Sequence, residues 1–285
     1  MDPMLHIDHG GARIAYDVTG QGPILAMLHC TASSARQWRP VRDRLDSAFA
    51  TLAIDLHGHG ESDPWPGRRP FRLADDAAAV AAVLDRVGGP VHLVGHSYGG
   101  AVALHLALEG RPLASLTLIE PVAFHLLAND RGGSSRLLTE IWDVADAVRA
   151  GVLTGDQAAG MACFVDYWSG PGAWAALPGD RQRALAEMAP VVALHFAAAQ
   201  SDPGSFDDCR RLAVPTLLIS GDRTTAPAAG IAARLAEAIP GCRQKVVPGA
   251  GHMLPRTHPD PFLRVLAAHL ASTAGAEKAR LRPAA

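Results

Sequence analysis

Short apolar runs alternate along the chain with longer stretches in which apolar residues recur every three or four positions. Ile24 to Leu28, Ala50 to Ile54, Val91 to Val94, Leu116 to Ile119, Thr216 to Ile219 and Gln244 to Val247 have the length of buried strands. Ser34 to Leu45, Leu73 to Val87, Gly99 to Leu108, Ala228 to Ile239 and Pro261 to Leu270 carry the helical period. Strand and helix in alternation predict an α/β fold, a doubly wound and mostly parallel sheet. Near the start, Met4 to Ile7 and Arg13 to Val18 flank His9-Gly10-Gly11 and predict an antiparallel hairpin at the sheet edge.

From about Val122 to Asp208 the alternation stops. Helical segments follow one another with Gly and Pro breaks and no convincing strand, which predicts an inserted helical cap over 122–208, between core segments 1–121 and 209–271. Eight of the fifteen aromatic residues fall there: Phe124, Trp142, Phe164, Tyr167, Trp168, Trp174, Phe196 and Phe206. Some must form the insertion's own core, and others can form an apolar wall over a site. Phe124, Trp142, Phe164 and Trp168 are the candidates for substrate contact. The last stretch, 272–285, is Ala-rich and basic without periodicity, and is expected to be a flexible tail. No internal repeat interrupts this plan.

Composition narrows the function classes. A chain of 285 residues with 48% hydrophobic and 19% charged residues suits one domain carrying an insertion. Its net charge of -2, from 26 basic and 28 acidic side chains, leaves no excess to neutralise nucleic-acid phosphates or an anionic membrane. No apolar run approaches the ~20 residues that span a bilayer, and Met1 to Gly10 lacks the basic-then-apolar order of a signal peptide. A cytoplasmic protein is expected. Cys30, Cys163, Cys209 and Cys242 lie far apart without a C-x-x-C pair and are expected to be free thiols.

The strongest chemical signal is Gly95-His96-Ser97-Tyr98-Gly99, directly after an apolar run and directly before a helical stretch. A serine on a tight strand-to-helix turn stands above the sheet edge, and the helix N-terminus aims N–H groups at developing negative charge. Ser97 is therefore the candidate nucleophile. A hydroxyl needs a neighbouring base, and His252, in Pro248 to Met253 after the last strand-like run, is placed to supply it at the carboxyl ends of the strands. His57-Gly58-His59 suggests a metal, but Glu61 and Ser62 stand where an H-x-H-x-D-H site needs Asp and His. Asp55 to Ser62 is better explained as a Gly-rich turn. Neither metal nor cofactor is expected.

Leu28-His29-Cys30-Thr31 followed by Trp38, the segment Asp55 to Ser62, the Ser97 elbow and Gly249 to His252 together resemble the α/β-hydrolase fold superfamily, over nearly the whole chain. The resemblance implies an oxyanion hole from the backbone N–H groups of Thr31 and Tyr98, with Cys30 standing where the family usually has Gly. It implies an acid partner for His252 as well. The usual Gly-x-x-Asp place reads Gly221-Asp222-Arg223-Thr224, so Asp222 lies two residues early. Some branches instead carry the acid at the end of the sixth strand, where Glu120 stands 23 residues after Ser97. Glu120 is favoured and Asp222 is the alternative.

The implied activity is that of a serine hydrolase cleaving a carboxylic ester or related small acyl substrate through an acyl-enzyme. A C–C bond hydrolase, lactonase, perhydrolase or acyltransferase would use the same residues, and a ligand receptor with little turnover is the alternative from another class. Serine at the elbow sets the chain apart from the epoxide hydrolase and haloalkane dehalogenase branches, which attack with a carboxylate.

Overall fold

Eight strands form one sheet in the computed structural model, which describes residues 4–45, 47–129 and 135–280. β1 (Leu5–His9) and β2 (Ala12–Thr19) make the expected hairpin, with His9 opposite Ala12. Gly10 and Gly11 turn it with φ of 58° and 86°, a handedness that matches the twist of the paired strands. Then follow β3 (Ile24–Leu28), β4 (Ala50–Ile54), β5 (Val91–His96), β6 (Ser115–Ile119), β7 (Thr216–Gly221) and β8 (Arg243–Val247). The order across the sheet is β1-β2-β4-β3-β5-β6-β7-β8, antiparallel at β1–β2 and β2–β4 and parallel elsewhere.

Because side chains alternate along a strand, each central strand feeds two cores. Ala26 and Leu28, Leu52 and Ile54, Leu93, and Leu116 and Leu118 face one side of the sheet. That side is covered by α2 (Leu73–Val87), α3 (Tyr98–Leu108) and α10 (Ala226–Ala238). Leu25 and Met27, Ala53, Val94 and Ile119 face the other, under α1 (Arg39–Leu45), α11 (Leu254–Thr257) and α12 (Pro259–Arg280).

Two expectations need correction. The helix expected over Ser34 to Leu45 is a 3-10 turn, Ala35–Trp38, followed by α1, whose second residue is Pro40; proline has no N–H to offer and is tolerated in a first turn. β8 is an exposed edge rather than a buried run, as its polar residues Arg243, Gln244 and Lys245 allow. From Ser272, where the sequence shows no helical period, the backbone continues as helix through Arg280. Residues 281–285 lie outside the described ones.

Between β6 and β7 the described chain contains helices alone: α4 (Phe124–Ala128), α5 (Ser135–Thr154), α6 (Gln157–Ser169), α7 (Gly179–Glu187), α8 (Ala189–Ser201) and α9 (Phe206–Cys209). α5 and α6 approach closely because Gly160 lacks a side chain; a Cβ there would lie 3.0 Å from Val148 Cα. α8 returns to the core, where Asp202 just beyond its end meets His105 of α3 at 2.7 Å. Among the described residues, no helix is long and apolar enough to cross a membrane.

Candidate active site

β5 ends at His96 and α3 begins at Tyr98, leaving Ser97 alone at the junction with φ 56° and ψ −117°. Non-glycine residues avoid this region, so the conformation persists because the surroundings impose it. Ser97 N–H donates to Ile119 O at 2.9 Å, and Ser97 O accepts from the N–H groups of Gly100, Ala101 and Val122 at 2.9, 3.1 and 3.2 Å. The flanking glycines are dictated by contact. A Cβ on Gly95 would overlap the Gly99 carbonyl, and one on Gly99 would lie 2.5 Å from His29 O.

The loop after β8 brings His252 Nε2 to 2.9 Å from Ser97 Oγ. Its Nδ1 lies 3.2 Å from Glu120 Oε2. A carboxylate beside Nδ1 places the proton there, which leaves Nε2 to accept the serine hydroxyl. Glu120, at φ 48° directly after β6, is fully buried. Its charge is satisfied on both oxygens: Oε1 accepts Gly221 N–H at 2.7 Å, and Oε2 accepts the Thr224 hydroxyl besides His252. Thr224, at the place where the resemblance implies an acid, instead donates its hydroxyl to Glu120. Asp222 is exposed and accepts Gly249 N–H at 2.7 Å, closing the loop ahead of His252.

Three buried histidines frame this line. His96 donates from Nε2 to His252 O at 2.9 Å and accepts from Gln37 at Nδ1, while Gln37 Oε1 accepts Cys30 N–H at 3.2 Å. His29 donates to Cys30 O and accepts Leu56 N–H; His59 donates to His57 O and accepts Ala32 N–H at 3.1 Å. Burial lowers the pKa of His96 to about 3 and those of His29 and His59 to about 4, so all three are neutral and can play these mixed roles. His57 gives both N–H and Nδ1–H to Asp76 Oδ1, at 3.0 and 2.8 Å. The histidines of His57-Gly58-His59 thus serve the backbone and one carboxylate.

Thr31 and Tyr98 line the same pocket as Ser97. The left-handed turn of the Thr31 loop falls at Ala32, φ 55°, rather than at Cys30. Cys30 is buried, and burial pushes its thiol up to about 12, which suits a packing residue. Of the aromatic candidates, Phe124, Phe164 and Trp168 line the pocket, and the Trp168 ring covers that of His252 at 3.9 Å between centroids. Trp142 does not. It is 43% exposed, because it follows the fully buried Ile141 by one residue, about 100° around the helix. The pocket also takes Val192, His195, Phe196 and Ala199 from α8, spaced i, i+3, i+4, i+7; of these only Phe196 is among the aromatic residues that the sequence offers for a wall. The space is tight: the centre of a water molecule can move through about 20 Å³, and Ser97 and His252 are buried.

Residues 25–265 match the model of the alpha/beta hydrolase family. The chain is 27% identical to a 2-(acetamidomethylene)succinate hydrolase of Mesorhizobium japonicum over 275 residues, which is 91% of this chain and 92% of that one. A crystal structure of a hydrolase from Pseudomonas aeruginosa superposes with a TM-score of 0.75 at 25% identity, covering 94% of this chain and 98% of the other. The fold is also shared with a thermophilic esterase from Thermogutta terrifontis, at TM-score 0.72, 22% identity and coverage of 95% and 99%.

Proposed function

The chain belongs to the alpha/beta hydrolase family, and from that premise we propose that it is a serine hydrolase that cleaves a neutral carboxylic ester or related acyl compound through an acyl-enzyme. The observation that carries this reading is the unbroken line from Ser97 Oγ through His252 to Glu120, at 2.9 and 3.2 Å. Ser97 Oγ attacks the carbonyl carbon while His252 Nε2 takes its proton. Glu120 holds the imidazole in orientation and stabilises its positive charge. The backbone N–H groups of Thr31 and Tyr98 receive the oxyanion, a contribution of ~3 kcal/mol for each donor. His252 then protonates the departing alcohol, and a water that gives its proton to His252 releases the acid.

In the same reading the helices of 122–208 act as a cap, with Phe124, Phe164, Trp168 and Phe196 holding the acyl group. The choice of a neutral substrate follows from that lining. The Mesorhizobium relative is named for a succinate, which bears carboxylates, whereas the lining residues among the described ones include no Lys or Arg.

A panel of p-nitrophenyl esters of graded chain length, together with a fluorophosphonate probe, tests the proposal against Ser97→Ala. Wild type is expected to be labelled stoichiometrically and to turn over short uncharged esters, and Ser97→Ala to do neither. Equal labelling of both proteins would remove Ser97 as nucleophile.

A further inference from the structure

Asp76, in the first turn of α2, is fully buried and has one oxygen committed to His57. Its other oxygen, Oδ2, makes no direct hydrogen bond and lies 3.7 Å from His195 Nε2, itself unpartnered; the unpartnered Tyr98 hydroxyl also interacts with the Asp76 carboxylate. His195 is 2% exposed and comes from α8, in the insertion. Its ring lies flat on Tyr98, 3.6 Å between centroids and 12° between planes, and its Nδ1 is 2.5 Å from Thr31 Oγ1. One imidazole thus touches both Thr31 and Tyr98, which line the pocket with the nucleophile.

The proton position follows from the neighbours. Burial, and then His59, His29 and His57, hold His195 well below its ordinary pKa, so the ring carries one proton. A lone pair on Nε2 would face the Asp76 carboxylate 3.7 Å away, which favours the tautomer with the proton on Nε2. Nδ1 is then bare and accepts the Thr31 hydroxyl. The residues on either side of Thr31 are pinned from the core, Cys30 N–H by Gln37 and Ala32 N–H by His59. Thr31 is pinned from α8.

We propose that His195 is a positioning residue, which with Asp76 and the Thr31 hydroxyl forms a second carboxylate–imidazole–hydroxyl line that fixes the oxyanion loop only while α8 is seated on the core. The proposal rests on the serine hydrolase reading above. It makes the seating of the cap a condition for fast acyl transfer, because a donor misplaced by about 1 Å costs about 10²-fold in rate.

The test is a double-mutant cycle in the full chain on a short p-nitrophenyl ester. His195→Phe keeps a flat ring against Tyr98 and removes both nitrogens; Thr31→Val keeps the shape and removes the hydroxyl; Thr31→Ser restores it. Each of the first two is expected to lower kcat about 10- to 100-fold with KM within about twofold, since the lost interaction matters in the transition state. The double variant is expected to be no slower than the slower single one, and Thr31→Ser to recover most of the rate. Unchanged kcat in His195→Phe, or losses that multiply in the double variant, would overturn the proposal. The nitrogen resonances of 15N-histidine-labelled protein give a second readout that needs no substrate. Protonated Nε2 with bare Nδ1, the latter shifting in Thr31→Val, supports the line, and protonated Nδ1 refutes it. Should wild type neither label nor turn over while those resonances are as expected, the serine hydrolase reading is at fault and the line itself stands.

Discussion

Glu120 keeps a buried charge against three donors, from Gly221, Thr224 and His252, and its removal should be felt in chemistry more than in binding. Glu120→Gln is expected to lower kcat by about 10³- to 10⁴-fold, as the loss of a triad acid does elsewhere. Asp222→Asn should stay within about threefold of wild type, because Asp222 is exposed and among the described residues its side chain holds the loop ahead of His252. Steady-state kinetics of the pair check this, and the opposite ranking would exchange their roles. Ser97, His252 and Glu120 were legible in the sequence because each stands at the end of a strand-like run, where an α/β sheet collects its polar groups. His195 was not. In Pro190-Val191-Val192-Ala193-Leu194-His195-Phe196 a histidine among apolar neighbours reads as part of a helix core, and only the folded chain shows Thr31 across from it. Trp142 was misread for the converse reason: a helical period gives the spacing of a face without saying which face turns inward.

At the scale of the element, the elbow is a close crossing of three backbones, β3, β5 and α3, and its glycines are set by that crossing. Gly99→Ala places a Cβ 2.5 Å from His29 O and 2.6 Å from Leu28 O, in main chain that has no room to move. The expected result is loss of fluorophosphonate labelling together with a Tm lower by several degrees, read by probe labelling and a thermal melt. Wild-type labelling in this variant would show that the junction can relax. Strand and helix identity was largely visible in the alternation of periods. What escaped depended on local chemistry or on neighbours: Pro40 splitting the first helix, β8 lying exposed at an edge, and α12 running on past Ser272.

For the whole molecule, buried neutral histidines set a limit on the acid side. His29, His59 and His269 fall to about 4 and His96 to about 3, all chiefly through burial, against 6.5 for the unfolded chain. Their folded pKa values are lowered, so the unfolded chain takes up protons that the folded one refuses. Their contribution to stability is therefore complete above about pH 6.5 and drains away as the pH falls toward 4, by on the order of 1 kcal/mol per histidine per pH unit. Urea denaturation midpoints should drop steeply between pH 7 and pH 5, with far-UV circular dichroism lost near pH 4. A flat profile over that range would contradict the buried neutral state.

The tight fit around Ser97 has a kinetic meaning. Trp168 lies on His252 and the space beside Ser97 has room for little more than one water, so an ester is expected to displace these side chains as it enters. If the serine hydrolase reading holds, α6 and α8 are expected to sort slim from bulky substrates by how far they must part, and kcat/KM over the graded ester panel checks this.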